Sequence, residues 1–188
     1  MIPFNKPYLT GKEAHYIYDA VYSGKISGNG KYTQKCQAFF ENKYGFKKAL
    51  LTTSCTDALE MAAILSNVGP GDEVIVPSYT FVSTALAFVR QGAKIVFADS
   101  YSNNPNIDAD HIESLINENT KIIVPVHYAG VSCDMDKIME LANKYNLLVI
   151  EDAAEAHGAA VNGKRVGSWG NCATFSFYGN KNLRLPCC

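Results

Sequence analysis

Little in this sequence points outward to a large partner or a membrane. Its 188 residues carry 17 Lys and Arg against 18 Asp and Glu, a formal net charge of −1. With neither sign in excess, no long-range field draws nucleic acid or an anionic membrane, although local phosphate sites stay open. No apolar stretch approaches the ~20 residues of a membrane-spanning helix. The start, Met1 to Lys6, lacks the apolar core of a secretory leader. These absences lead to the expectation of a cytoplasmic protein. The six cysteines are Cys36, Cys55, Cys133, Cys172, Cys187 and Cys188. They include no CxxC pair, and their wide spacing suggests no disulfide framework. Reduced, mostly buried thiols are expected, apart from the vicinal Cys187-Cys188 at the end. Internal repeats and low-complexity tracts are missing as well.

What is present is hydrophobic bulk. At 47% of residues it can fill the core of one large domain or of part of a bigger one. From about residue 47 onward, strand-like and helix-like segments alternate. Strands are expected at 49–52, 73–77, 94–98, 121–126, 147–151 and 173–177. Helices are expected at 56–67, 81–91, 108–117 and 134–145. The strands are uniformly apolar rather than alternating, so both sheet faces should be covered. The series predicts an α/β fold with a mostly parallel sheet covered by helices. Residues 1–46 read differently, as two helices near 11–22 and 31–43 joined by the glycine-rich Ser23-Gly24-Lys25-Ile26-Ser27-Gly28-Asn29-Gly30.

Two residues carry the most chemistry. Asp152 closes the apolar run Leu147-Leu148-Val149-Ile150-Glu151, and Lys181 follows Ala173-Thr174-Phe175-Ser176-Phe177. An amine and a carboxylate at the ends of neighbouring strands are what pyridoxal phosphate chemistry requires. The amine forms a Schiff base, and the carboxylate keeps the pyridine nitrogen protonated. A lysine is more often a solvated surface residue, but desolvation here would lower its pKa and free its amine. Three other segments are candidates. Thr52-Thr53-Ser54-Cys55-Thr56-Asp57-Ala58 is either a phosphate-binding helix start or an ordinary N-cap. Tyr79 and Phe81, just after a strand, either stack on a planar ring or fill core under a loop. Glu151-Asp152-Ala153-Ala154-Glu155-Ala156-His157 offers carboxylates and a His. A metal site competes there, but no second His or Cys stands at ligand spacing. His157 reads as a packing or hydrogen-bonding residue, and His127 as a strand-end residue near the site without a catalytic role.

The order and placement of these segments resemble the DegT/StrS family of sugar-nucleotide aminotransferases. The matching stretches are Ser54-Cys55-Thr56-Asp57-Ala58-Leu59, Gly71-Asp72-Glu73-Val74-Ile75-Val76-Pro77, Asn106-Ile107-Asp108, Pro125-Val126-His127, Glu151-Asp152-Ala153-Ala154 and Phe175-Ser176-Phe177 leading to Lys181. The likeness runs from Ile2-Pro3-Phe4 to about Asn182. It implies an incomplete fold-type-I PLP-dependent transferase large domain. Pyridoxal 5'-phosphate is the implied cofactor, with no metal. Lys181 would bear it and shuttle the proton, and Asp152 would pair with the pyridinium nitrogen. Ser54, Cys55, Thr56 and Ser176 would hold the phosphate, and Phe81 would stack on the ring. Glu155 would sit beside the phenolic oxygen, close enough for the two carboxylates to influence each other's titration. The implied acceptor is a nucleotide-linked 4-keto-6-deoxyhexose, the donor glutamate, and the full-length assembly a homodimer. The first half is most similar to the branch making dTDP-4-amino-4,6-dideoxygalactose. The stretch 149–180 is more similar to GDP-perosamine synthase.

The resemblance divides the chain into an N-terminal helical segment at 1–46, a partial PLP-binding large domain at 47–182 and a tail at 183–188. Family members continue through a Gly-Glu-Gly-Gly turn into a small C-terminal domain, and Arg184-Leu185-Pro186-Cys187-Cys188 does not follow that pattern. The resulting expectation is a fragment without transaminase activity. Two other readings stay open. One is a non-catalytic sugar-nucleotide-binding remnant. The other is a relative that uses PLP for dehydration, which Lys181 argues against because those relatives carry His there.

Overall fold

The computed structural model describes residues 9–179 and residue 181. The Ile2-Pro3-Phe4 start and the 183–188 tail, with Cys187 and Cys188, lie outside the described residues. Five strands form one sheet: β1 (Glu73–Pro77), β2 (Lys94–Ala98), β3 (Thr120–Ile123), β4 (Leu148–Asp152) and β7 (Cys172–Thr174). Their order is β2-β1-β3-β4-β7, and every neighbouring pair is parallel. The expected α/β architecture is therefore present.

Alternate side chains along each strand enter opposite cores. Val74 and Val76 of β1, Ile122 of β3 and Ile150 of β4 pack with Leu59, Ala62 and Ala63 of α3 (Cys55–Leu65) and Ala87 and Phe88 of α4 (Val82–Val89). Ile75, Ile123 and Val149 pack on the other face with Ile112 of α5 (Ala109–Leu115) and Ile138, Leu141 and Ala142 of α6 (Met135–Tyr145). This two-sided burial is why the strands read as unbroken apolar runs. Each fully buried Leu, Ile or Phe contributes about 1.5–3 kcal/mol. The parity continues to the end of β4, so Asp152 shares the α3/α4 face and Glu151 the α5/α6 face.

Polar caps mark the helix starts. Ser54 accepts from Asp57 N at 3.1 Å, Asp108 from Asp110 N at 2.9 Å and Asp134 from Lys137 N at 3.2 Å. Each satisfies a first-turn N–H that has no partner inside the helix.

Several expectations need correction. Ala49-Leu50-Leu51-Thr52 is not a strand. Ala49 N bonds the Glu41 carboxylate at 3.1 Å rather than a strand. β3 ends before Pro125, which has no N–H for the ladder, although Val126 still bridges to Asp152. β7 ends at Thr174, after which Phe175 and Phe177 turn into an aromatic cluster. β2 is an edge strand with Phe97 56% exposed, so its outer residues are not covered. A hairpin, β5 (Ala160–Val161) with β6 (Lys164–Arg165), was not anticipated. Its turn is Asn162-Gly163, both at positive φ, the sequence signature of a tight two-residue turn. The N-terminal helices α1 (Glu13–Tyr22) and α2 (Lys31–Tyr44) contain no fully buried residue. Among the described residues no helix is long and apolar enough to cross a membrane.

Candidate active site

A cavity of about 1710 Å³ runs along β7 and α3 and opens over the carboxyl ends of the strands. Parallel sheets place ligands at this end. All eight candidate residues line it: Ser54, Cys55, Thr56, Phe81, Asp152, Glu155, Ser176 and Lys181. They come from the N-terminus of α3, the turn after β1, the end of β4 and the segment after β7. A shallower cavity of about 460 Å³ beside Asn117 and Tyr145 lies at the opposite, amino end of β3 and gathers none of them.

The α3 start offers an anion cradle. The first intrahelical bond runs from Ala58 N to Ser54 O at 3.2 Å. The N–H groups of Cys55 and Thr56 precede it, at the positive end of the helix dipole. Ser176 is buried, and its Oγ accepts from Tyr178 N at 3.3 Å. Burial and the nearby Asp152 carboxylate push the Cys55 thiol up to about 12, so it stays neutral.

Asp152 is 4% exposed. Its Oδ2 accepts from Thr84 Oγ1 at 2.8 Å and its Oδ1 from Ala154 N at 3.1 Å. Burial pushes its carboxyl above the ordinary range against the pull of those bonds. Glu155 moves the other way. Burial works to raise it, but the bonds from Lys181 Nζ at 2.9 Å and Ala129 N at 2.9 Å win and hold it below the ordinary range. The two carboxylates therefore titrate in opposite directions, and Glu155 is held as the anion beside Lys181. The Lys181 side chain is only 19% exposed.

Phe81 occupies the N-cap position of α4 without any side-chain cap bond, and its ring is 73% exposed at the cavity. Tyr79 and Tyr128 meet edge to face at the rim, with centroids 5.0 Å apart. His157 is a packing residue, as its sequence context suggests. Nε2 meets Tyr44 Oη at 3.1 Å, and Phe40, Phe175 and Phe177 surround the ring. His127 is fully buried and bonded to Glu151 at 3.1 Å, on the far face of β4 from the cavity. Because its Nδ1 accepts from Cys133 N, Nε2 carries the proton donated to Glu151. No group of three or more His, Cys, Asp or Glu that could hold a metal occurs among the described residues.

Sequence reading missed Thr84 and Thr174. Thr84 sits inside an apolar helix and carries no motif. Thr174 lines the cavity, 2% exposed, with its Oγ1 lacking a hydrogen-bond partner. A buried hydroxyl without a partner is rare and marks a place where a polar ligand fits.

The chain matches the DegT/DnrJ/EryC1/StrS aminotransferase family over residues 7–186. It belongs to that family. Family members are PLP-dependent aminotransferases. The chain is 45% identical over 175 residues to the GDP-perosamine synthase of Caulobacter vibrioides, covering 93% of this chain and 47% of that protein. An aminotransferase structure from Psychrobacter cryohalolentis superposes with a TM-score of 0.92 at 38% identity, over 97% of this chain and 47% of its own. A candidate sugar aminotransferase from Streptococcus pneumoniae, solved in its PLP form, superposes at 0.91 with 31% identity, over 97% and 50%. The chain spans about half the length of the curated relatives it matches. The sheet and its helices are those of the PLP-dependent aminotransferases, as the resemblance implied.

The residues present fit PLP. The cavity offers an amine, a buried carboxylate, a helix N-terminus for a phosphate and an unsatisfied hydroxyl.

Proposed function

We propose that this chain contributes the cofactor site of a PLP-dependent transaminase that acts on a nucleotide-linked 4-keto-6-deoxyhexose, with glutamate as amino donor. The observation that carries this reading is the convergence of Lys181, Asp152, Glu155 and the α3 N-terminus on one cavity. The likeness to GDP-perosamine synthase favours a GDP-linked sugar over a dTDP-linked one. When bound, PLP supplies an electron sink for the carbon that loses or gains the amino group.

The chain's own residues have separable tasks in this scheme. Asp152 accepts a hydrogen bond from the ring nitrogen and keeps it protonated, which a buried anion does better than water. The first-turn N–H groups at Cys55 and Thr56, with Ser54 and Ser176, hold the phosphate. Phe81, already open to the cavity, covers one ring face. Lys181 Nζ binds the cofactor and then takes up and returns the proton that moves as the amino group changes carrier. Glu155 accepts a hydrogen bond from Lys181 Nζ and orients it. The proposed working assembly is a homodimer.

The test is labelling. Incubation with PLP should give a near-visible absorbance, and borohydride should fix the cofactor to the peptide containing Lys181, as read by mass spectrometry. Lys181→Ala should give neither. A folded wild-type chain that acquires no chromophore would refute cofactor binding and leave a non-catalytic sugar-nucleotide-binding remnant as the reading. Comparing GDP- and dTDP-linked 4-keto sugars then decides the nucleotide, and sedimentation decides the dimer.

A further inference from the structure

Behind Asp152 the structure holds a line of hydroxyls. Thr84 is fully buried on α4, and its Oγ1 donates to Asp152 Oδ2 at 2.8 Å. Thr80 Oγ1, four residues earlier in the segment leading into α4, lies 2.9 Å from Thr84 Oγ1. An ionised carboxylate only accepts, so the Thr84 proton is committed to Asp152. The proton between the two threonines must then come from Thr80. The chain has one direction, Thr80 to Thr84 to Asp152.

We propose that Thr84, oriented by Thr80, is a positioning residue that keeps the Asp152 carboxylate ionised and aimed at the ring nitrogen of the cofactor. The need for it follows from burial. Little of this carboxylate meets water, and desolvation alone drives it towards the neutral acid. A neutral acid would have no charge with which to hold a pyridinium proton. Each bond donated to the anion opposes that drift, and aligned hydroxyls polarise one another. Oδ1 has the Ala154 N–H for the same purpose. The rest of the neighbourhood supplies little more. Lys181 acts at a distance, the Cys55 thiol is neutral, and Glu151 bonds His127 on the other side of β4. Thr84 is thus the side-chain donor on Asp152 that α4 contributes, and a valine of the same shape would remove it without opening a cavity.

The inference rests on the PLP reading for its purpose but not for its first test. In the 188-residue chain without cofactor, the Asp152 carboxyl carbon can be titrated by ¹³C NMR, assigned as the resonance lost in Asp152→Asn. Thr84→Val should move that titration to higher pH, and Thr84→Ser should leave it at the wild-type position. With cofactor, Thr84→Val should weaken PLP about tenfold or more at neutral pH, the size of a lost hydrogen bond to a charge. A PLP analogue with carbon in place of the ring nitrogen should bind both forms within about twofold, because a general packing defect would weaken both ligands alike. Thr80→Val should repeat the pattern more weakly, and it carries the test if Thr84→Val does not fold. An unmoved Asp152 titration, equal weakening of PLP and the analogue, or a serine variant behaving like valine would each overturn the proposal. If the wild-type chain binds no PLP, the cofactor reading fails while the titration still decides whether the hydroxyls act on Asp152.

Discussion

Glu151 and Asp152 are neighbours on β4, both buried, and their environments are opposite. Glu151 accepts from Gly167 N at 2.7 Å, Trp169 N at 2.8 Å, Gly170 N at 2.7 Å and His127 Nε2 at 3.1 Å. Burial alone would raise its pKa, but those bonds outweigh it and hold the carboxyl below its ordinary range. Asp152 accepts from Thr84 and Ala154 and is pushed the other way. One face of the strand consumes a carboxylate to tie down the 167–170 loop. The other leaves a carboxylate under-solvated, with lone pairs still open towards a cavity. The same chemical group is structural where donors saturate it and available for function where they do not.

The largest test of this contrast is Glu151→Gln. It turns an amide against three backbone donors and His127, and it should cost about 3–5 kcal/mol, as breaking a buried charged network does. Urea unfolding would measure it, and a loss below about 1 kcal/mol would erase the distinction. Gly170→Ala probes the loop that Glu151 holds. A Cβ there would meet Val149 O at 2.5 Å, backbone against backbone. The expected loss is about 2–3 kcal/mol by the same unfolding assay.

Asp152→Asn should do the reverse. Because burial raises the folded pKa of Asp152 above its unfolded value, stability falls as pH rises from the ordinary carboxylate range through the raised value. The variant should therefore be about 0.5–2 kcal/mol more stable at neutral pH, with the advantage fading in acid, while PLP binding is lost. A paired pH series of thermal melts would show it. Glu155→Gln should give the smallest change. Glu155 has a depressed folded pKa, so its contribution is present above the ordinary range and lost as pH falls through the lowered value. Its side chain is 37% exposed, so screening limits the loss to about 0.5 kcal/mol at neutral pH. The acid-side decline should flatten in the variant, and added salt should shrink the difference.

Much of this was legible in the residues. The runs at 73–77 and 147–151 announced themselves because a parallel strand buried on both faces must be apolar throughout. Ser54, Asp108 and Asp134 announced helix starts because a short polar side chain is the cheapest partner for an orphan N–H. Asp152 and Lys181 stood out by their places after apolar runs, whereas the roles of Ser54, Cys55, Thr56, Phe81, Glu155 and Ser176 came through a family likeness, since none has a local pattern that separates it from an ordinary cap, core or surface residue. The hairpin was signalled by Asn162-Gly163, a cue that went unused. Thr84 lies in a hydroxyl-rich stretch after β1, but nothing local tells which of those hydroxyls meets a buried carboxylate.

The sequence by itself determined the alternation of strands and helices and the alternating faces along each strand, because period and capping are local properties of consecutive residues. It could not say which of Glu151 and Asp152 meets donors and which meets a cavity. That depends on β7, the 167–170 loop and α4 arriving beside β4 from 16 to 68 residues away in sequence. Parity places the two carboxylates on opposite faces. Only the packing of distant segments against those faces decided that one carboxylate is saturated and the other held ready.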